Sequence, residues 1–208
     1  MMNAFFKSID WNNIKYIGFD LDGTLYDEIE FIKQVYKSIS ENLFTYNEEI
    51  YFFMLKRWVE KGSSYPYIFK ETFEKYKKYS LFSENEFISK ALYIYRNFYP
   101  DLVLNYRTEI ILNYCRKNYK IFLISDGNYN LQKNKFKALN LDKYFDSVYF
   151  TGKYGSEFYK PNTKILEKID FDFNPKETVF FGDRVQDKEF AMKSGMNFIQ
   201  VYNMIKVR

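Results

Sequence analysis

The stretch Ile14-Lys15-Tyr16-Ile17-Gly18-Phe19-Asp20-Leu21-Asp22-Gly23-Thr24-Leu25-Tyr26-Asp27 decides the fold. Its first half is a short apolar run rich in β-formers, which reads as a buried strand, and it ends in two carboxylates, a glycine and a hydroxyl. Ligands of open α/β sheets bind outside the carboxyl ends of the strands. Two aspartates one residue apart at such an edge are costly to desolvate unless a cation or a shared proton compensates them. Mg²⁺, a hard cation that takes oxygen ligands and keeps several waters, suits them. Asp-x-Asp-Gly is also common turn chemistry. The stretch alone leaves both readings open, and the downstream chain has to supply matching groups.

From Glu28 to about Tyr99 the apolar residues recur at helical spacing. Phe31, Val35, Ile39 and Leu43 form one stripe, Phe52, Leu55, Trp58 and Val59 a second, and Phe87, Ala91, Leu92 and Tyr95 a third. Breaks are expected at Thr45 to Asn47, at Lys61 to Pro66, and at Ser80 to Glu84, where Ser83 and Glu86 have the spacing of a capping box. Beyond Leu104 helices and strands alternate. Helices are expected at about 105–118, 129–139, 162–168 and 185–193, and strands at 120–124, 147–150, 178–181 and 197–201. Such alternation predicts an α/β fold, a Rossmann-like parallel sheet with helices on both faces. The first strand joins that sheet, so residues 1–27 and 100–208 form an α/β core and residues 28–99 an inserted all-helical domain.

Composition narrows the function. With 208 residues, 47% hydrophobic and 28% charged, the chain can bury a sizeable core as one domain or a domain with an inserted lobe. A formal charge of +4 is too mild to imply nucleic acid. Aromatic residues make up 22% of the chain, but they are spread along its whole length, which argues against a local base-stacking platform. The absence of histidine excludes Ser-His-Asp and Cys-His catalysis and His-based zinc sites. The single cysteine, Cys115, excludes an internal disulfide and fits a reducing compartment. No leader-like N-terminus and no stretch long enough to span a bilayer are visible, so the expectation is a cytoplasmic protein without membrane or nucleic-acid partners.

Three of the later elements, two strand ends and the segment before one helix, carry groups that a phosphate site needs. The strand at 120–124 runs into Ser125-Asp126-Gly127-Asn128, where a hydroxyl and free backbone N–H groups at a helix start can bind an anion. Lys160-Pro161 supplies a point positive charge. The strand at 178–181 ends in Gly182-Asp183, with Asp187 one turn on. Singly, Ser125 could be a helix cap, Lys160 a solvated lysine and Asp183 an N-cap. Jointly, the edge rule brings all of them to the Asp20/Asp22 corner.

In this order the motifs resemble the haloacid dehalogenase-like (HAD) hydrolases. Asp20-Leu21-Asp22-Gly23-Thr24 is similar to their first motif, Ser125-Asp126-Gly127 to the second, Lys160-Pro161 to the third, and Gly182-Asp183-Arg184-Val185-Gln186-Asp187 to the fourth. The helices inserted after the first motif resemble the α-helical cap of one subgroup. Asp126 departs from the pattern, since many relatives have Asn there.

The resemblance implies Asp20 as a nucleophile that forms an aspartyl-phosphate and Asp22 as the acid and then the base. It implies Thr24, Ser125, Gly127 and Lys160 as the phosphate grip. Mg²⁺ would be held by Asp20, Asp22 through its backbone carbonyl, and Asp183, with Asp187 supporting the metal or Lys160. An ester leaving group needs a proton and a halide does not, so the presence of Asp22 favours a phosphatase over a dehalogenase. The mutases of the family use a cap histidine, which this chain lacks. The expected activity is Mg²⁺-dependent hydrolysis of a small phosphorylated metabolite, with phosphosugar, phosphoglycolate and nucleotide monophosphates all open. Lys56, Arg57 and Lys61 are candidates for choosing the substrate. The alternative is a non-catalytic phosphate-binding or regulatory module on the same fold.

Overall fold

A computed structural model describes residues 9–45 and 48–201. The chain divides into two compact units, one made of the residues up to Glu28 and from Val103 onward, the other of Ile29–Leu102.

Among the described residues of the first unit five strands, β1 (Tyr16–Phe19), β2 (Lys120–Ser125), β3 (Ser147–Phe150), β4 (Thr178–Gly182) and β5 (Asn197–Gln200), form one sheet in the order β3-β2-β1-β4-β5. Every neighbouring pair is parallel. The three central strands β1, β2 and β4 are almost wholly buried, as parallel strands covered by crossover helices must be, while the edge strands β3 and β5 are mostly half-buried. Gly18 pairs with Phe122 on one side and Phe180 on the other. A Cβ at Gly18 would stand 2.5 Å from Phe180 and 2.6 Å from Phe122, so only glycine lets those rings close over the central strand. Around them pack Ile124, Tyr149, Phe158, Ile165, Phe190 and Met196. Phe19 stacks on Phe181 with centroids 5.0 Å apart, and Phe180 meets Phe190 edge-on at 5.3 Å. Many of the aromatic residues of this unit thus form its interior, where rings bury large apolar areas.

The helices α5 (Tyr106–Asn118), α6 (Tyr129–Ala138) and α7 (Val185–Ser194) connect these strands. Asn105 caps α5 and Asn128 caps α6 by accepting from the N–H groups of Thr108 and Leu131. The helix expected at about 162–168 is present as a 3₁₀ helix over Thr163–Lys168. The segment spans fewer than two α-turns and buries one residue, Ile165, and short pieces take the tighter turn. The chain runs outward from β1 to β2 and β3, then returns to β4 and β5 on the opposite side. The direction of connection therefore reverses between β1 and β4, which is where a doubly wound sheet opens a crevice.

The helical unit contains α1 (Glu28–Leu43, whose first residue belongs to the other unit), α2 (Glu48–Lys61), α3 (Ile68–Tyr76) and α4 (Glu84–Asn97). In α1 the expected stripe of Phe31, Val35, Ile39 and Leu43 is buried. In α2 the stripe lies elsewhere. Ile50 and Met54 are buried, while Phe52 and Val59 are 57% and 72% exposed. Residues 50–55 are apolar without interruption, so periodicity leaves the phase of that helix undetermined. Phe87 packs against Phe44 and Phe73 with centroids 5.0 and 5.6 Å away. Glu86 accepts from the Ser83 N–H at 3.0 Å, the reciprocal half of a capping box. Gln34 on α1 holds Asp101 by two backbone bonds of 2.7 and 2.8 Å, tying down the end of the unit. Of the break expected at 45–47, Tyr46 and Asn47 lie outside the described residues.

Candidate active site

At the carboxyl end of β1 the chain turns through Asp20 to Thr24. Asp20 keeps the sheet going for one more bond, its N–H donating to the Phe181 carbonyl at 2.9 Å. Gly23 takes φ +75°, and a Cβ there would stand 2.3 Å from an Asp183 carboxylate oxygen. The glycine thus permits both the left-handed turn and the approach of the fourth motif to the first. Thr24 Oγ1 donates to Asp183 Oδ1 at 3.3 Å across the same gap.

Lys160 lies at the centre of the corner. Its buried Nζ donates to Asp20 Oδ1 and to Asp187 Oδ1, each at 2.6 Å, and to the Ile124 carbonyl at 3.2 Å. Three acceptors match the three donors of an ammonium. Burial works to lower the lysine's proton affinity, but the charges of Asp20, Asp187 and Asp126 outweigh it and hold the ammonium form. Asp187 Oδ2 in turn accepts from the Arg184 N–H at 3.1 Å, which fixes its carboxylate at the start of α7.

Asp20, Asp183 and Asp187 each offer a carboxylate oxygen, all within 4.8 Å of one another. Burial pushes the Asp20 carboxyl well above the usual range; Lys160 opposes this, and Asp187 and Asp183 reinforce it. Asp183 is raised to about 6, again chiefly by burial. Three acidic groups so close together, offering only oxygen, fit a hard divalent cation, which relieves their mutual repulsion on binding. The Asp22 carboxylate is not in this cluster.

Asp22 has a separate setting. Its Oδ1 accepts from Lys135 Nζ at 2.8 Å and from the Tyr26 hydroxyl, and its Oδ2 accepts from Gln132 Nε2 at 2.7 Å. Burial alone would raise this carboxyl, but Lys135, then Tyr26 and Gln132, hold it below the usual range. Two aspartates one residue apart are thereby driven in opposite directions, the pattern that separates acid–base roles in hydrolytic sites.

Ser125, at the end of β2, is buried, and its Oγ accepts from Gln132 Nε2 at 3.0 Å. Gly127 follows in the loop before α6. Asp126, the residue that departs from the motif, accepts from the Thr151 hydroxyl at 2.8 Å and from the Lys160 backbone N–H at 3.1 Å. It braces the loop that carries the central lysine, and burial raises its own carboxyl. Asp20, Asp22, Thr24, Asp183, Asp187, Ser125 and Lys160 therefore occupy one corner of the α/β unit, bridged by the hydrogen bonds above.

Gln132 and Lys135 carry no motif signal. On a helix read as Tyr129-Asn130-Leu131-Gln132-Lys133-Asn134-Lys135, polar residues look solvated. The available signal was their spacing of three on the face shared with Leu131 and Phe136, both buried. The three candidates for substrate choice lie in the helical unit. Arg57 Nε bonds Glu71 at 2.6 Å and its NH1 bonds Glu60 at 2.6 Å, Lys56 pairs with Glu60 at 3.8 Å, and Lys61 lies 5.8 Å from the Tyr65 ring centroid.

Residues 17–201 match the family described as haloacid dehalogenase-like hydrolase. The chain belongs to that family. It is a hydrolase, and its curated relatives are phosphatases. It is 27% identical over 194 residues to a glyceraldehyde 3-phosphate phosphatase of Pyrococcus furiosus, covering 87% of this chain and 77% of that one. A protein of the same name from Methanothermobacter thermautotrophicus is 28% identical over 200 residues, covering 90% and 85%. Among solved structures, a HAD-superfamily hydrolase of subfamily IA from Geobacter sulfurreducens superposes with a TM-score of 0.68 at 22% identity, covering 90% of this chain and 87% of that one. A putative β-phosphoglucomutase from Thermotoga maritima gives 0.68 at 20% identity, covering 94% and 88%. These structural likenesses speak for the fold. Among the described residues, no helix is long and apolar enough to cross a membrane.

Proposed function

We propose that this hydrolase is a Mg²⁺-dependent phosphatase of small phosphomonoesters that works through an aspartyl-phosphate on Asp20. The observation that carries the reading is the separation of the two neighbouring aspartates, Asp20 among Lys160, Asp183 and Asp187, and Asp22 among Lys135, Gln132 and Tyr26. A carboxylate oxygen of Asp20 attacks phosphorus, the bond from phosphorus to the ester oxygen breaks, and a proton from Asp22 passes to that oxygen. Water then attacks phosphorus, gives its proton to Asp22, and releases Asp20 and inorganic phosphate. The pull of Lys135 favours the proton-accepting form of Asp22, which suits the second step. A phosphate dianion arriving beside it raises its proton affinity, which suits the first.

Lys160, the Thr24 and Ser125 hydroxyls and the Gly127 N–H grip the phosphoryl oxygens, where positioned charge supplies most of the acceleration. Asp20, Asp183 and the Asp22 carbonyl would hold Mg²⁺, with Asp187 on Lys160 and at the rim of the same cluster. When bound, the cation neutralises phosphoryl charge and relieves the repulsion among the carboxylates. Residues 29–102 are assigned the role of substrate-selecting cap, on the ground of their insertion directly after the Asp20–Asp22 loop. The name shared by the relatives supports a phosphorylated triose or a metabolite of similar size as substrate.

The test is release of inorganic phosphate from a panel of phosphorylated metabolites, with and without Mg²⁺. Turnover is expected with small sugar phosphates, abolished by EDTA and by Asp20→Asn. Turnover that survives Asp20→Asn removes the nucleophile, and no turnover of any ester removes the phosphatase.

A further inference from the structure

Two side chains from outside the motifs converge on Asp22. Gln132 and Lys135 lie three apart on α6, and are 3% and 2% exposed. Burying a lysine costs desolvation of its charge, and an apolar residue would dock the helix without that cost. The return on that cost is geometric. Lys135 and Tyr26 fix Oδ1 of Asp22, and Gln132 fixes Oδ2. The two N–H groups of the Gln132 amide are shared among Asp22 Oδ2, Ser125 Oγ at 3.0 Å and the Asp126 carbonyl at 2.6 Å, so one group sets the spacing between Asp22 and the hydroxyl at the end of β2. Its own Oε1 is buried with no partner among the described residues. Turning the amide over would set that oxygen against the Asp22 carboxylate and the Asp126 carbonyl, so its donor side dictates its orientation.

We propose that Lys135 and Gln132 are positioning residues that aim the two oxygens of Asp22 for proton exchange, first with the leaving oxygen and then with water. This rests on the assignment of Asp22 as acid and base. Loss of aim should matter in proportion to the need for a proton. An alkyl phosphate must have its leaving oxygen protonated, whereas p-nitrophenolate departs without help.

Lys135→Met and Gln132→Met are therefore compared with wild type in the first turnover of glycerol phosphate and of p-nitrophenyl phosphate. The expected result is a fall of about tenfold or more in the first-turnover rate for the alkyl ester, part of the factor that general acid catalysis commands, with KM little changed. The nitrophenolate burst is kept, and Lys135→Arg recovers part of the alkyl rate. Equal losses on both esters, or none, overturn the proposal. Crystal structures of the two Met variants give a second readout independent of turnover. A changed Asp22 rotamer supports positioning, and an unchanged one in both overturns it. Should Lys135→Met not fold, Gln132→Met carries both arms, because it deletes the Oδ2 contact and keeps the ion pair. A wild type inactive on both esters sinks the phosphatase reading, while the rotamer comparison still decides whether these residues hold Asp22.

Discussion

The two units treat polar groups in opposite ways. The α/β unit takes charges inside, and Asp20, Asp22, Lys135, Lys160 and Asp187 are all buried there. Among the described residues of the helical unit the buried polar side chains are Ser40 and Thr72, and each hydroxyl bonds back to its own helix, at Lys37 O and Ile68 O. Its ion pairs, such as Arg57 with Glu60 and Glu71, stay at the surface. A buried ion pair often stabilises a fold no better than apolar residues of the same volume. Charges packed around one strand end therefore mark where chemistry outweighs stability, and the helical unit follows the ordinary rule of apolar inside and charged outside.

The largest break in this contrast is expected from Lys160→Met. It leaves Asp20 and Asp187 buried without their shared cation, so stability without metal should fall by about 3–5 kcal/mol, and Mg²⁺ should restore part of it. Phosphatase activity should drop about 10²–10³-fold, the cost of removing one preorganised charge donor. Thermal melts with and without Mg²⁺ and steady-state rates check both; a melt that ignores Mg²⁺ would mean that the carboxylates do not form a cation site. In the helical unit the corresponding change, Thr72→Val, removes a hydroxyl bonded only within its helix and should cost under about 1 kcal/mol. A denaturant titration measures it, and a loss above 2 kcal/mol on that same scale would mean a hidden polar network there.

The smallest effect is expected at Glu71, whose carboxyl the Arg57 and Tyr65 hydrogen bonds hold below its usual value of 4.5. A carboxyl depressed on folding adds stability that is present above its unfolded value and lost as pH falls through the folded one. The Tm margin of wild type over Glu71→Gln should thus be small at pH 7 and close in acid. A margin independent of pH would show that the pair contributes packing rather than charge.

Much of the site was legible before any coordinates. Asp20, Asp22, Ser125, Lys160 and Asp183 each stand at or near the end of an apolar strand or ahead of a helix, where chain order and the edge rule suffice to bring them together. The α1 stripe was equally plain, because polar residues separate its apolar ones. The α2 stripe was not, because six apolar residues in a row erase the phase. Asp126 could be noticed as a departure but not explained, since Thr151 and the Lys160 N–H that it holds are 25 and 34 residues away.

The sequence by itself determined the alternation of strands and helices, the inserted helical stretch and the strand-end carboxylates, because all three are written in local pattern. Only the tertiary structure decided how the first two aspartates differ. Their immediate neighbours in the chain are nearly the same, and what separates them is Lys160 at Asp20 and Lys135 with Gln132 at Asp22, 140, 113 and 110 residues away. A side chain's proton affinity depends on the charges and hydrogen bonds that folding brings within a few ångströms. The stretch around β1 names the two carboxylates; the helix and loop that fold back onto it set their proton affinities apart.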